Sequence, residues 1–159
     1  MKRHPGLHAL SEHHHHALVQ ALLIRRADQS PPEQRSAAFR QAAKAFLQFW
    51  KKTGRKHFRE EEEVLLPRYA RHVRLDEDPN VMRMLADHAL IRSRIQGLQK
   101  ALAEKRTVDT ELTTLGQLLH DHVRLEENLI FPRLEAVLGE AELADLGQHL
   151  TRLHNQCER

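Results

Sequence analysis

The apolar positions of this chain recur at helical spacing almost from end to end. Leu7, Leu10, Leu18, Leu22 and Ile24 predict a first helix that starts at Leu7 or is capped by Ser11 and runs to about Asp28. Gln29-Ser30-Pro31-Pro32 breaks it, and a proline opening the next helix is favourable because its missing N–H has no intrahelical partner there. Phe39, Ala42, Ala43, Phe46, Leu47 and Trp50 mark a long second helix from about Glu33. Gly54 interrupts the stripe, but the pattern favours a continuous or slightly bent helix to about Leu66, kinked or restarted at Pro67. Asp76-Glu77-Asp78-Pro79 makes the next break. Val81, Leu85, His88, Ile91, Ile95, Leu98 and Leu102 stripe a third helix from Pro79 to residues 104–106. Thr107 or Asp109 caps a fourth, with Leu112, Leu115, Leu119, His122, Leu129 and Leu134 inward. A short fifth, from about Glu140 to His154, carries Leu143, Leu146, Leu150 and Leu153. No window alternates with period two long enough for a strand. The expected fold is all-α: an antiparallel four-helix bundle, up-down-up-down, with a short extra C-terminal helix, in one domain spanning residues 1–159.

Composition narrows the function more than the fold. The one cysteine, Cys157, allows neither a disulfide framework nor a CxxC pair, which fits a reducing cytoplasm. No apolar run is long enough for a membrane span and no signal pattern opens the chain, so a cytoplasmic protein without a membrane partner is expected. The formal charge is only +3, with basic and acidic residues interspersed. Lys51, Lys52, Arg55 and Lys56 form the one tight basic cluster and read as a solvated helix face, so no nucleic-acid partner is expected. Histidine is the anomaly. Thirteen in 159 residues is far above ordinary usage, and histidine is both the commonest metal ligand and the pH switch of proteins.

The placement of those histidines repeats. His57-Phe58-Arg59-Glu60-Glu61-Glu62-Glu63-Val64-Leu65-Leu66-Pro67 aligns without a gap on His122-Val123-Arg124-Leu125-Glu126-Glu127-Asn128-Leu129-Ile130-Phe131-Pro132. Each copy sets a histidine and a glutamate at i and i+4, on one helix face and roughly 6 Å apart. The third helix offers His88, with apolar residues at +3, +7 and +10. In the first helix His15 matches that phase best, having Leu18 at +3 and Leu22 at +7. His14, which shares a face with Leu7, Leu10, Leu18 and Leu22, is the alternative. The two halves would then bring His15 (or His14), His57, Glu61, His88, His122 and Glu126 to one level of a pseudo-twofold bundle.

This set suits a metal pair. Two cations repel, and bridging carboxylates from Glu61 and Glu126 would offset that repulsion. Imidazoles would complete each shell, and they suit iron, copper, nickel or zinc. Six side chains do not saturate two octahedral ions, which leaves positions for oxygen, peroxide or nitric oxide. Glu12, Glu62 and Glu127 are candidates to accept the outer N–H of a ligating histidine. Any one of these residues alone is better read as core or solvated surface. Together, without metal, they would bury unpaired carboxylates at high cost. His4, His8, His13, His16, His72, His120, His149 and His154 read as ordinary core or surface residues, as do Trp50, Tyr69 and Cys157.

From about Leu7 to Leu146 the chain resembles the hemerythrin-like, cation-binding HHE domains. The resemblance is carried by Leu10-Ser11-Glu12-His13-His14-His15, by His57 through Pro67, by Asp87-His88 with Arg92, and by His122 through Pro132. It implies a four-helix bundle around a non-haem centre of two iron ions, other divalent metals being alternatives. It also implies members that carry or sense oxygen, respond to nitric oxide or peroxide, sense iron, or help repair iron–sulfur clusters. Oxygen-carrying hemerythrins have a second histidine four residues after the third-helix one, where this chain has Arg92. They also place an aspartate at +5 from the fourth-helix histidine, where this chain has Glu126 at +4 and Glu127 at +5. The expectation is a four-His, two-Glu metal-binding or sensor protein with a small diatomic ligand or peroxide as partner, rather than an oxygen carrier or a dedicated enzyme. A ferritin-like di-iron oxidase is one alternative, for which only Glu12-x-x-His15 fits the Glu-x-x-His pattern. A zinc hydrolase lacks its His-Glu-x-x-His motif. A metal-free helical interaction module is the other alternative.

Overall fold

The computed structural model describes residues 2–157, with side chains as far as Leu153. The side chains of His154 and Cys157 lie outside the described residues. Five helices make up the fold, and no strand occurs among the described residues. After a 3₁₀ turn at Pro5–Leu7 come α1 (His8–Asp28), α2 (residues 32–69), α3 (Pro79–Ala103), α4 (residues 109–137) and α5 (Glu140–Cys157). Helix α1 packs on α2 and α4, and α3 packs on α4.

The ends follow local chemistry. Asp78 caps α3, its carboxylate accepting the N–H groups of Asn80 and Val81 at 3.0 and 3.4 Å, with Pro79 in the first turn. At the other end Lys105 takes φ 55°, and the Arg106 N–H returns to the Ala101 carbonyl at 2.8 Å. This is the left-handed closure that glycine usually provides. Ser11 does not cap α1. It lies inside the helix and donates to Glu127 at 2.7 Å. Val108 precedes α4 without a side-chain cap, and Asp109 sits in the first turn, where negative charge suits the helix dipole.

Helix α2 passes through both Gly54 and Pro67 without stopping. It does so by widening into π-helical turns at Trp50–Gly54 and Glu61–Leu65, and α4 does the same at Glu126–Ile130. Pro67 and Pro132 lack an N–H, and in an α-helix each ring would press on the carbonyl four residues back, that of Glu63 or Asn128. In the widened turns the Leu66 N–H reaches Glu61 and the Phe131 N–H reaches Glu126, five residues back. Each proline thus sits two residues beyond a turn with one residue too many, and each such turn begins at a motif glutamate.

The core has two parts. Phe39, Phe46, Trp50, Phe58, Ile95 and Leu115 belong to one apolar cluster, and Leu10, Leu65, Tyr69, Met84, Phe131 and Leu134 to the other. Helix α5 closes the second with Leu143, Leu146 and Leu150. Its docking depends on a backbone approach, since a Cβ at Gly147 would meet the Gly6 Cα at 2.8 Å. The lead-in before α1 is tied down. Arg3 reaches Glu135 and Glu127, and the His4 N–H donates to Glu135 at 2.7 Å. Between the two apolar clusters lies a layer of polar side chains.

Candidate metal centre

That layer is built by the repeated motif. Glu61 and Glu126 each open a π-turn and are fully buried. Their i−4 histidines stand over them: His57 Nε2 is 3.2 Å from Glu61 Oε1, and His122 Nε2 is 3.0 Å from Glu126 Oε1. His88 of α3 brings its Nε2 to 3.3 Å from Glu61 Oε2 and 3.6 Å from Glu126 Oε1. From α1, His14 places Nε2 at 2.7 Å from Glu126 Oε2 and 3.8 Å from Glu61 Oε1.

These distances sort the atoms into two groups. His14, His57, Glu61 and Glu126 form one; His88, His122, Glu61 and Glu126 form the other, with the ligand-type atoms of each within 4.8 Å of one another. Both carboxylates belong to both groups, so the arrangement can bridge two cations. None of the four Nε2 atoms or the four carboxylate oxygens makes a hydrogen bond. They gather instead in the two groups that share Glu61 and Glu126. An apolar interior does not tolerate so many unsatisfied polar atoms without a compensating charge. Imidazole nitrogens mixed with carboxylate oxygens make a donor set that fits iron and its divalent neighbours.

The outer ring nitrogens are held from behind. His14 Nδ1 lies 2.6 Å from Glu127, and His88 Nδ1 lies 2.7 Å from Glu62. With Nε2 turned inward, each Nδ1–H donates to its carboxylate, which fixes tautomer and ring direction. Arg92 grips Glu62 with two bonds of 2.9 and 3.1 Å, and Arg3 grips Glu127 at 2.8 Å. Each arginine also lies over a phenylalanine, Arg92 over Phe58 and Arg3 over Phe131, at 5.3 Å in both cases. Phe58 stacks on His88 and Phe131 on His14. His122 Nδ1 faces Asp87 at 3.7 Å, and His57 Nδ1 faces His13 Nδ1 at 3.4 Å.

Electrostatics agree with the geometry. Burial lowers the basicity of His14, His88 and His122, but the surrounding carboxylates outweigh it: His88 is pushed up to about 10, His122 to about 9, and His14 well above its ordinary value. Burial works against the charge on Glu61 and Glu126, yet the adjoining histidines hold both well below the usual carboxylate range. Glu127 is drawn down to about 2 by His14, Ser11 and Arg3 despite its partial burial. The layer demands positive charge at its centre, which protons or cations can supply.

Of the residues expected from sequence, His57, Glu61, His88, His122 and Glu126 come together. His15 does not: it is exposed, and His14, the alternative, takes the place. Apolar phasing favours His15 because it follows the leucines. The buried stripe of α1 is Leu7, Leu10, His14, Ala17, Ile24 and Ala27, while Leu18 and Leu22 are only partly buried. Small residues are buried here because the helices approach closely; a Cβ on Gly116 of α4 would meet Ile24 at 3.0 Å. Glu12 is exposed, so Glu12-x-x-His15 lies off the cluster and gives no support to a ferritin-like pattern. Asp87 and Arg3 were missed as supporting groups. Asp87 could have been found, since it directly precedes an inward histidine.

A search of protein families matched residues 6–134 to the hemerythrin HHE cation-binding domain. This chain belongs to that family. No match to this HHE domain was found among curated proteins or solved structures. Membership makes the protein a cation-binding helical domain, and the two His/Glu groups of this HHE domain are the residues that could hold metal. No helix among the described residues is long and apolar enough to cross a membrane.

Proposed function

We propose that this HHE domain holds a non-haem pair of iron ions and uses it to bind or sense oxygen, nitric oxide or peroxide, or to handle iron under stress. The observation that carries this reading is that four imidazole nitrogens and four carboxylate oxygens, all buried and none hydrogen-bonded, gather in two groups that share both carboxylates. His14 and His57 would serve one ion, His88 and His122 the other, and Glu61 and Glu126 both. When bound, such a pair supplies redox change and open coordination positions for a small ligand. The chain supplies the rest. Glu62 and Glu127 keep two imidazoles in the Nδ1–H tautomer, Arg92 and Arg3 hold those carboxylates ionised, and Phe58 and Phe131 exclude water beside the inner nitrogens. The reading treats residues 1–159 as one domain, an antiparallel up-down-up-down four-helix bundle with α5 added, working in the cytoplasm as a binding or sensing protein.

Metal analysis with absorption spectroscopy tests it. About two iron ions per chain are expected, with near-ultraviolet bands of a bridged ferric pair after oxidation. A chain purified free of metal, and equally stable in chelator, would favour a purely structural helical module instead. Firm binding of zinc alone would retain the site but remove the redox reading.

A further inference from the structure

On the outer side of the pair the repeat breaks, and there the first half carries ligand-type residues. Superposing the halves on their inward histidines sets His13 opposite Asp87, because each directly precedes the inward histidine of its helix. The same comparison sets Glu60 opposite Leu125. In the second half the outer nitrogen of His122 faces Asp87, and the position equivalent to Glu60 is the apolar Leu125. In the first half the outer face of His57 meets a histidine and a carboxylate.

From this break we infer that His13, His57 and Glu60 form a further divalent-cation site on the outer side of the pair. His13 Nδ1 stands 3.4 Å from His57 Nδ1 and 3.7 Å from Glu60 Oε2, and ligand-type atoms of the three residues lie within 4.8 Å of one another. Ligands bound roughly 2.0–2.1 Å from a tetrahedral ion lie about 3.3–3.4 Å apart, so two of these separations are close to edges of such a shell. His57 and Glu60 are buried and His13 is partly exposed, which leaves solvent access for a fourth, water ligand. Lys56, 3.8 Å from Glu60 and on the same helix, holds the place of the cation and has a flexible stem long enough to swing out to solvent. Two nitrogens with one carboxylate suit zinc, cobalt or ferrous iron better than magnesium or calcium. With Nε2 facing the pair and Nδ1 facing this ion, His57 would give its ring proton to solvent and join the two sites through one imidazole. The inference rests on the proposed pair only for that shared role of His57.

Cobalt(II) titration of the iron-loaded chain is the test. One cobalt beyond the pair is expected, with the intense visible bands of a four-coordinate ion. The double variant His13→Asp with Glu60→Leu copies what the second half already carries at these positions, so the exchange suits the fold. It should keep the iron content and weaken the extra cobalt binding by about tenfold or more. No cobalt beyond the pair, or extra cobalt held equally by the double variant, would overturn the site. A chain that takes no iron, yet binds one cobalt that the double variant loses, would overturn the pair and uphold this site.

Discussion

The two halves of the molecule solve the same problem with different outer parts. Inside, they match: a histidine from a single helix, a histidine and a glutamate from a π-widened one, and a second glutamate reaching across to the neighbouring helix. Outside, the arginine that braces Glu62 comes from four residues beyond His88, whereas the arginine that braces Glu127 comes from the lead-in. The position equivalent to Arg92 in the first half is Leu18, so α1 has no arginine there and Arg3 does the work from another segment. The inner geometry is therefore set by the repeated motif. The supporting groups are set by whichever segment can deliver a charge to the right point.

The two halves depend on each other most at Glu61 and Glu126. Replacing Glu61 or Glu126 by Ala should abolish the pair and leave less than half the metal content, as read by elemental analysis, because each carboxylate serves both groups. If either variant keeps full occupancy, the shared-carboxylate geometry is wrong. His14→Ala should cost at least one ion of the pair, and His15→Ala should leave metal content unchanged. The reverse result would restore the phase read from the leucines. Glu62→Gln and Glu127→Gln should each weaken metal binding by about 10–100-fold in competition with a chelator. Similar losses would show that the two supports are equivalent despite their different arginines.

In the metal-free chain the raised values of His88 and His122 contribute stability that is fully present below about pH 6.5 and lost as pH rises through 9 to 10, and the raised value of His14 acts in the same direction. Burial pushes Glu60 up to about 7, with Lys56 opposing, so its contribution is also lost as pH rises through neutrality. The lowered values of Glu61, Glu126 and Glu127 contribute above the ordinary carboxylate range and are lost on acidification below it. Urea unfolding of the metal-free chain should therefore be hardest between about pH 5 and 6.5 and easier on either side. The metal-loaded chain should show a flatter profile across neutral and alkaline pH. The smallest effects lie away from the layer. Gly147→Ala should destabilise by about 1–3 kcal/mol through its contact with Gly6, and Lys105→Gly should stabilise by about 1 kcal/mol by relieving a positive φ.

Much of this was legible in the chain because it rests on local rules. Prolines and polar runs placed most of the breaks, and helical spacing gave all five helices. The gapless repeat singled out Glu61 from four consecutive glutamates. What was hidden depended on helices meeting. Burial of alanine rather than leucine in α1 reflects close packing against α2 and α4, and it moved the inward histidine from His15 to His14. Apolar spacing predicts a kink or a restart at Pro67, since a sequence shows the missing N–H but not the widened turn that absorbs it. Arg3 lay in a segment expected to be loose, and its partners Glu127 and Glu135 are more than a hundred residues away.

The polar layer lies between two greasy halves, and that position has a consequence for the life of the protein. On the proposed reading the ions are also the rivet at its waist. Their loss leaves ionised carboxylates that only protonated histidines can balance, across the middle of the fold where backbone amides are normally slowest to exchange with solvent. Bound metal favours the native state by mass action, so the folded fraction follows the free metal concentration. Starved of metal, the chain would open first at its centre, and proteases that clear opened chains would shorten its lifetime as iron falls.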